Sequence, residues 1–393
     1  MKKLRKFLKR LGLFILFLLV AVNLFIVFTG RFYLYKGVWN TYLRGRKGPS
    51  ATEYKIFDNR EVKNGTPQPW ALGKDYNQKE IPGKILDSLM QIETGAFLVI
   101  KDDSIRCEKY WGEFSNASYT NSFSMAKTIT SILVGCAIKD GAIKSVDDPV
   151  CNYLPEFKQP QFEKITLKNL LEMSSGIAFD EDYVNPLAYP AEAYYGSDLR
   201  TLTFGYKKMN GTPGDNFLYL SGNTQLLGFV VEKATGKHLA DYASEKLWIP
   251  MGCEHSAFWS LDHKDGDEKA FCCFNSNARD FARLGKLYLD SGRWNGNQLV
   301  PESYALASVQ PTGMHDFGGR PCLTYGYNWW MIPEYAGHHI FYARGILGQY
   351  IIVVPDLKMI IVRLGQKRLP NDSNDLPLDV HYYLNAALQM YGS

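Results

Sequence analysis

The sequence predicts an α/β fold in which one antiparallel sheet is built from both ends of a folded region, flanked by helices and carrying a large, mainly helical insertion. Three observations lead there. Strand signals cluster early, between residues 96 and 111, and late, between 339 and 364. Helical periodicity fills most of the stretch between them. No internal repeat or low-complexity run breaks the pattern. With 393 residues, 46% of them hydrophobic and 14% aromatic, the chain has ample core and is too apolar for disorder.

The elements follow in order. Leu11 to Thr29 carries no charge and one strongly polar side chain, Asn23. As a helix rising about 1.5 Å per residue it reaches ~28 Å, close to the roughly 30 Å hydrocarbon core of a bilayer. Six of the first ten residues are Lys or Arg, whereas Gly30-Arg-Phe-Tyr-Leu-Tyr35 has no small-x-small cleavage site and resembles an interfacial aromatic belt. Residues 1–30 are therefore expected to be a cytoplasmic basic segment and an uncleaved single-pass anchor, with the rest of the chain outside the cytoplasmic membrane, periplasmic or at the cell surface. Residues 31–83, polar and punctuated by Gly and Pro, are expected to form a tether with little core of its own. Residues 84–393 are expected to form the folded domain.

Within that domain Ile85, Leu86, Leu89, Met90 and Ile92 have helical spacing. Ala96–Lys101 and Ile105–Trp111 flank Asp102-Asp-Ser104 and predict a hairpin. Helices are predicted from Ser124 to Ile138, from a Thr166 N-cap to Met173, from Thr224 to Ala234 before Gly236, and from Ala278 to Leu289 before Gly292. His339–Ala343, Tyr350–Val354 and Met359–Leu364 are the late strands, and Leu378–Met390 is a last helix.

The formal net charge of +4 is misleading, because the six N-terminal positive charges leave −2 for the remainder. A body of that charge has no basic footprint for nucleic acid. The seven cysteines match no zinc spacing, and most are expected to be buried thiols; Cys272 and Cys273 are neighbours, for which a mutual disulfide is strained. Cys253-Glu-His255, His338-His339 and the acidic run Asp262–Glu268 each lack a full ligand set, so neither a metal nor a cofactor is expected.

The sequence holds no G-x-S-x-G elbow, Walker loop, H-E-x-x-H or G-x-G-x-x-G. It does hold one S-x-x-K, Ser124-Met-Ala-Lys127, opening an apolar helix. Positions i and i+3 lie about 5–6 Å apart on one helix face, which puts the amine beside the hydroxyl. A serine becomes a nucleophile when a neighbouring base takes its proton, and a lysine serves as base in the neutral form that burial and nearby positive charge favour. The Ser124 backbone N–H can also face a developing oxyanion. Alone, the tetrapeptide reads first as a serine that caps its own helix with a surface lysine one turn on.

Several further blocks occur in order: Phe123-Ser-Met-Ala-Lys-Thr, Asp140-Gly-Ala-Ile-Lys-Ser-Val-Asp-Asp-Pro, Tyr153-Leu-Pro-Glu-Phe, and Ile165-Thr-Leu-Lys-Asn-Leu-Leu-Glu-Met-Ser-Ser-Gly. Together they resemble the β-lactamase-related serine hydrolase family, which includes class C β-lactamases, D-alanyl-D-alanine peptidases and esterases, over about residues 85 to 390. The resemblance implies a β-lactamase-like fold, Ser124 as nucleophile, Lys127 and Tyr219 as proton carriers, and the N–H groups of Ser124 and Ile346 as an oxyanion hole.

The family's Tyr-x-Asn becomes Tyr219-Leu-Ser221, with Asn223 two residues further on, and its Lys-Thr-Gly becomes Ala343-Arg344-Gly345. Ser221, Asn223, Arg344 and Gly345 are thus expected on the substrate side. The missing lysine argues against efficient β-lactam hydrolysis. This departure, with the acidic stretch ending at Tyr183, is most similar to the subgroup typified by 6-aminohexanoate-dimer hydrolase, in which a tyrosine closes over the substrate. Tyr183 matches it, and Tyr189, Tyr194 and Tyr195 extend an aromatic loop. The expected activity is hydrolysis of an amide or ester in a small or peptide-like substrate through an acyl-enzyme. The alternative is a non-catalytic, penicillin-binding-like module at the membrane.

Overall fold

The computed structural model describes residues 1–373 and 375–392. The chain begins with a long helix, α1 (Lys2–Thr29), and a short one, α2 (Tyr33–Asn40), then β1 (Asn59–Val62), β2 (Ala71–Leu72), α3 (Gly83–Gln91), β3 (Thr94–Lys101), β4 (Ser104–Tyr110) and β5 (Thr120–Asn121). Six helices follow: α4 (Met125–Lys139), α5 (Leu167–Leu171), α6 (Tyr189–Tyr195), α7 (Leu199–Phe204), α8 (Ser221–Thr235) and α9 (Leu239–Ala243). Next come β6 (Ala257–Ser260), β7 (Phe274–Ser276), α10 (Ala278–Leu289), β8 (Arg293–Trp294), β9 (Asn297–Gln298) and α11 (Glu302–Ser308). Strands β10 (Trp330–Tyr335), β11 (His338–Gly345), β12 (Gln349–Val354) and β13 (Met359–Gly365) lead into α12 (Val380–Tyr391).

The main sheet has the order β10-β11-β12-β13-β3-β4-β2. Its early and late halves meet where β13 runs antiparallel to β3, with Ile361 opposite Val99. Successive side chains of a strand point to opposite faces. Phe97 and Val99 accordingly join the layer under α3 and α12, with Leu89 and Leu384, while Leu98 and Ile100 join the layer under α4 and α10, with Ile129 and Leu284. Both faces are covered, so the central strands read as continuous apolar runs. Thr166 caps α5 through a reciprocal pair with Asn169, as its sequence position indicates.

Three features depart from the sequence reading. Strands β5, β6 and β7 of the insertion form a second sheet with β1, which comes from residues 31–83, in the order β1-β6-β7-β5, with β1 pairing with β6. The segment after α1 is no tether: Phe57 and Val62 enter the larger core, Trp70 packs on it and donates to the Arg279 carbonyl at 3.0 Å, and β2 extends the main sheet. Scattered apolar residues in a polar stretch are enough to hold it, because each enters an existing core. Finally, Cys272 and Cys273 are joined as a disulfide, whereas Cys107, Cys136, Cys253 and Cys322 are buried thiols.

Candidate active site

Strand β5 turns into α4 through Ser122 and Phe123. The Ser122 N–H donates to the Phe274 carbonyl at 2.8 Å, and the Phe123 N–H to Asn121 Oδ1 at 2.8 Å. Held this way, Phe123 takes a left-handed φ of 45°. Such a conformation costs a non-glycine residue on the order of 1–3 kcal/mol and persists where surrounding contacts enforce it. Its consequence is a sharp turn that sets Ser124 at the head of a buried helix.

Ser124 occupies the N-cap position without making a side-chain cap. Its Oγ instead accepts from Lys127 Nζ at 3.2 Å. Lys127 is 1% exposed, donates also to the Phe271 carbonyl at 3.0 Å, and holds its Nζ 5.0 Å from the ring centre of Tyr219. The structure thus brings Ser124, Lys127 and Tyr219 together, and the helix-capping alternative does not describe this serine.

Gly345 ends β11 against the same turn. A Cβ there would stand 2.2 Å from the Ser122 carbonyl oxygen, so only glycine lets the strand come this close. The glycine thus joins the end of the strand to the serine turn. Just beyond it lies Ile346, then Leu347 with a left-handed φ of 62°. Among the described residues, neither the Ser124 nor the Ile346 backbone N–H has a hydrogen-bond acceptor.

Tyr219 belongs to an aromatic wall, its ring centre 5.5 Å from Trp330 and 6.1 Å from Tyr325. The Arg344 guanidinium stacks 3.5 Å above Trp330 and donates to the Asp375 carbonyl and carboxylate at 2.7 and 3.1 Å. Its guanidinium is thus paired with Asp375 and stacked on the wall.

The two polar residues after Tyr219 are committed as well. Asn223 is fully buried and accepts from Ser175 Oγ at 2.6 Å, which pins the loop beneath α8. Ser221 donates its hydroxyl and its backbone N–H to Glu181, at 2.5 and 2.8 Å. Glu181 is the residue that sequence reasoning missed. Its carboxylate supplies the cap that Leu220 cannot give α8, where the helix dipole favours negative charge.

Tyr183 donates to the same carboxylate at 2.8 Å. The residue as a whole is 54% exposed, yet its hydroxyl end lies enclosed, and that burial, with the Glu181 charge next, pushes its pKa well above the usual tyrosine value. The expected aromatic lining is otherwise not formed. Tyr189 and Tyr194 are buried, hydrogen-bonded with Thr203 and to Glu53 respectively, and Tyr195 packs edge-on against Tyr194.

A pronounced cleft lies elsewhere. It measures about 670 Å³, is bounded by Tyr153, Arg200, Phe229, Glu232, His238 and Asp241 among others, and contains none of the residues above. At its edge Glu232, His238 and Glu268 bring possible ligand atoms within 4.8 Å of one another. Arg60 pairs with Glu268, and Arg200 pairs with both Glu232 and Asp267.

An α/β fold with a serine heading a buried helix, a lysine one turn along and a tyrosine against that lysine defines a class of protein built around an activated serine. The chain belongs to the β-lactamase family, whose family model matches residues 83–382. It is similar to the 6-aminohexanoate-dimer hydrolase of Paenarthrobacter ureafaciens, 28% identical over 69% of this chain and 72% of that one. A teichoic acid D-alanine hydrolase of Staphylococcus aureus strain MRSA252 is 25% identical over 80% of this chain and 82% of its own. Among solved structures, a family VIII carboxylesterase superposes with a TM-score of 0.61 at 15% identity, covering 82% of this chain and 99% of that one.

Proposed function

We propose that the protein is a serine hydrolase that cleaves an amide or ester bond through an acyl-enzyme on Ser124. The observation that carries this reading is the Ser124–Lys127 pair: a helix-heading hydroxyl that makes no cap and instead meets a buried amine. Ser124 Oγ attacks the carbonyl carbon, and its proton passes to the Lys127–Tyr219 pair. The oxyanion faces the free N–H groups of Ser124 and Ile346. On collapse the C–N or C–O bond breaks, and the amine or alcohol leaves with that proton. Water then attacks the acyl-serine, giving up a proton to the same pair, and Ser124 is restored with release of the acid.

The names of the relatives support hydrolysis: one is a 6-aminohexanoate-dimer hydrolase, another a teichoic acid D-alanine hydrolase. Helix α1 is long and apolar enough to cross a membrane, and we read it as an anchor with its basic end cytoplasmic and the hydrolase outside. The test is turnover of short nitrophenyl esters and amides by the full chain and by Ser124→Ala. Hydrolysis lost with the serine supports the reading. Equal rates in both would reject it, and failure of the wild type to react with any acylating probe would favour a binding module.

A further inference from the structure

Short contacts tie α1 and α2 to the loop that carries Tyr183 and to the helix after it. Tyr35 of α2 donates to Asn23 Oδ1 at 2.6 Å, although Asn23 lies inside the apolar run of α1. Six residues of helix rise separate Asn23 from Thr29, about 9 Å. Helix α2 therefore folds back beside the outer end of α1 rather than leading away from it. Ile26, one turn from that end, is buried as well, so this end of α1 is packed within the protein. The hydrocarbon gives way to the headgroup layer at about Thr29, where the apolar run ends, and Arg31 and Tyr33 follow directly.

From α2 the contacts run directly to the rim. Arg31 bridges to Glu192 at 2.9 Å, Tyr33 donates to the Pro186 carbonyl at 3.0 Å, and Gly37 lies against the Tyr195 ring. These partners belong to α6 and the loop before it, the loop that also carries Glu181 and Tyr183. Helix α2 and its continuation leave Trp39, Tyr42 and Leu43 each more than 60% exposed, and the loop they are tied to leaves Val184 91% exposed. Aromatic and apolar side chains displayed beside the end of a membrane span are the composition of an interfacial belt.

We propose that the loop from Tyr183 to Leu187 rests in the outer headgroup layer and that the scissile amide or ester is carried on an amphiphile held in that membrane. The proposal rests on the anchor and hydrolase readings above. It commits the exposed face to one occupant, the bilayer, because α1 fixes its depth. A water-soluble substrate would have to enter past lipid, whereas a substrate head group standing on the membrane meets the rim directly.

The test uses the full chain in lipid nanodiscs, with an environment-sensitive fluorophore on Val184→Cys in a Cys151→Ser background. Cys151 is the described free cysteine that is not buried. The prediction is quenching by nitroxide on lipid headgroups and protection from aqueous iodide, with faster turnover of a nitrophenyl ester linked to lipid than of the same ester in water. Free quenching by iodide with no nitroxide effect, in a chain that resists alkaline carbonate extraction, would overturn the proposal while leaving the anchor intact. Extraction by carbonate would overturn the proposal together with the anchor. A label in the headgroups without fluorophosphonate reaction at Ser124 would fault the hydrolase reading and overturn the substrate assignment, while upholding the location.

Discussion

Gly345 and Ser122 meet so closely that a β-carbon on the glycine would stand 2.2 Å from the serine's carbonyl oxygen. This contact joins the end of β11 to the turn that presents Ser124, and it sets the spacing between the two backbone N–H groups assigned to the oxyanion.

Gly345→Ala should therefore act on catalysis more than on folding. Overpacking of this kind costs about 1–3 kcal/mol of stability. Displacement of the oxyanion donors by even about 1 Å should lower kcat/KM on the order of 100-fold. Ester turnover and urea unfolding of the variant check both, and near-normal turnover would show that the contact is not critical.

Glu181 ties Ser221 and Tyr183 to the start of α8. Glu181→Ala should cost roughly 1–3 kcal/mol, the usual loss when hydrogen bonds to a charged group are removed. Because the rim loop loses its clamp, KM should rise by a larger factor than kcat falls. Steady-state kinetics would contradict this if only kcat changed.

Arg344 supports the Trp330–Tyr219 wall and is already paired with Asp375. Arg344→Lys, which keeps the charge but neither stacks nor forks in the same way, should lower kcat/KM equally for esters with and without a carboxylate. A loss confined to carboxylate-bearing substrates would instead mean that Arg344 binds them.

Lys269 is completely buried, donates to the Ala193 carbonyl at 3.1 Å, and is pushed down to about 7 by that burial. Between pH 7 and the usual lysine range the unfolded chain holds a proton that the native chain lacks. Stability from this group therefore rises with pH across that window, by at most about 1.4 kcal/mol per unit, and is lost as pH falls through 7. Urea unfolding from pH 6 to 9 should show the rise in wild type and a shallower one in Lys269→Met. Parallel curves would contradict it.

How much of this was legible in the sequence depended on distance along the chain. The β3–β4 hairpin and the late strands announce themselves through turn residues and continuous apolar runs. Strand β10 does not, because Pro333 interrupts it; the proline is tolerated since β10 is an edge of the sheet. The small sheet is invisible for another reason, since Asn59 pairs with Ser260, some two hundred residues away, through strands too short to show a period. The same holds at the site. Ser124 and Lys127 are one helical turn apart and could be read directly, and Tyr219 followed from the family pattern. Glu181 could not be found that way, because its purpose appears only when Ser221, forty residues on, is placed beside it.

The central claim is that Ser124 is the nucleophile. Reaction of the full chain with a fluorophosphonate, followed by peptide mass mapping, addresses it most directly. The account predicts a single adduct on the peptide carrying Ser124, abolished in Ser124→Ala and strongly slowed in Lys127→Ala. An adduct on another serine, or equal labelling of Ser124→Ala, would contradict it.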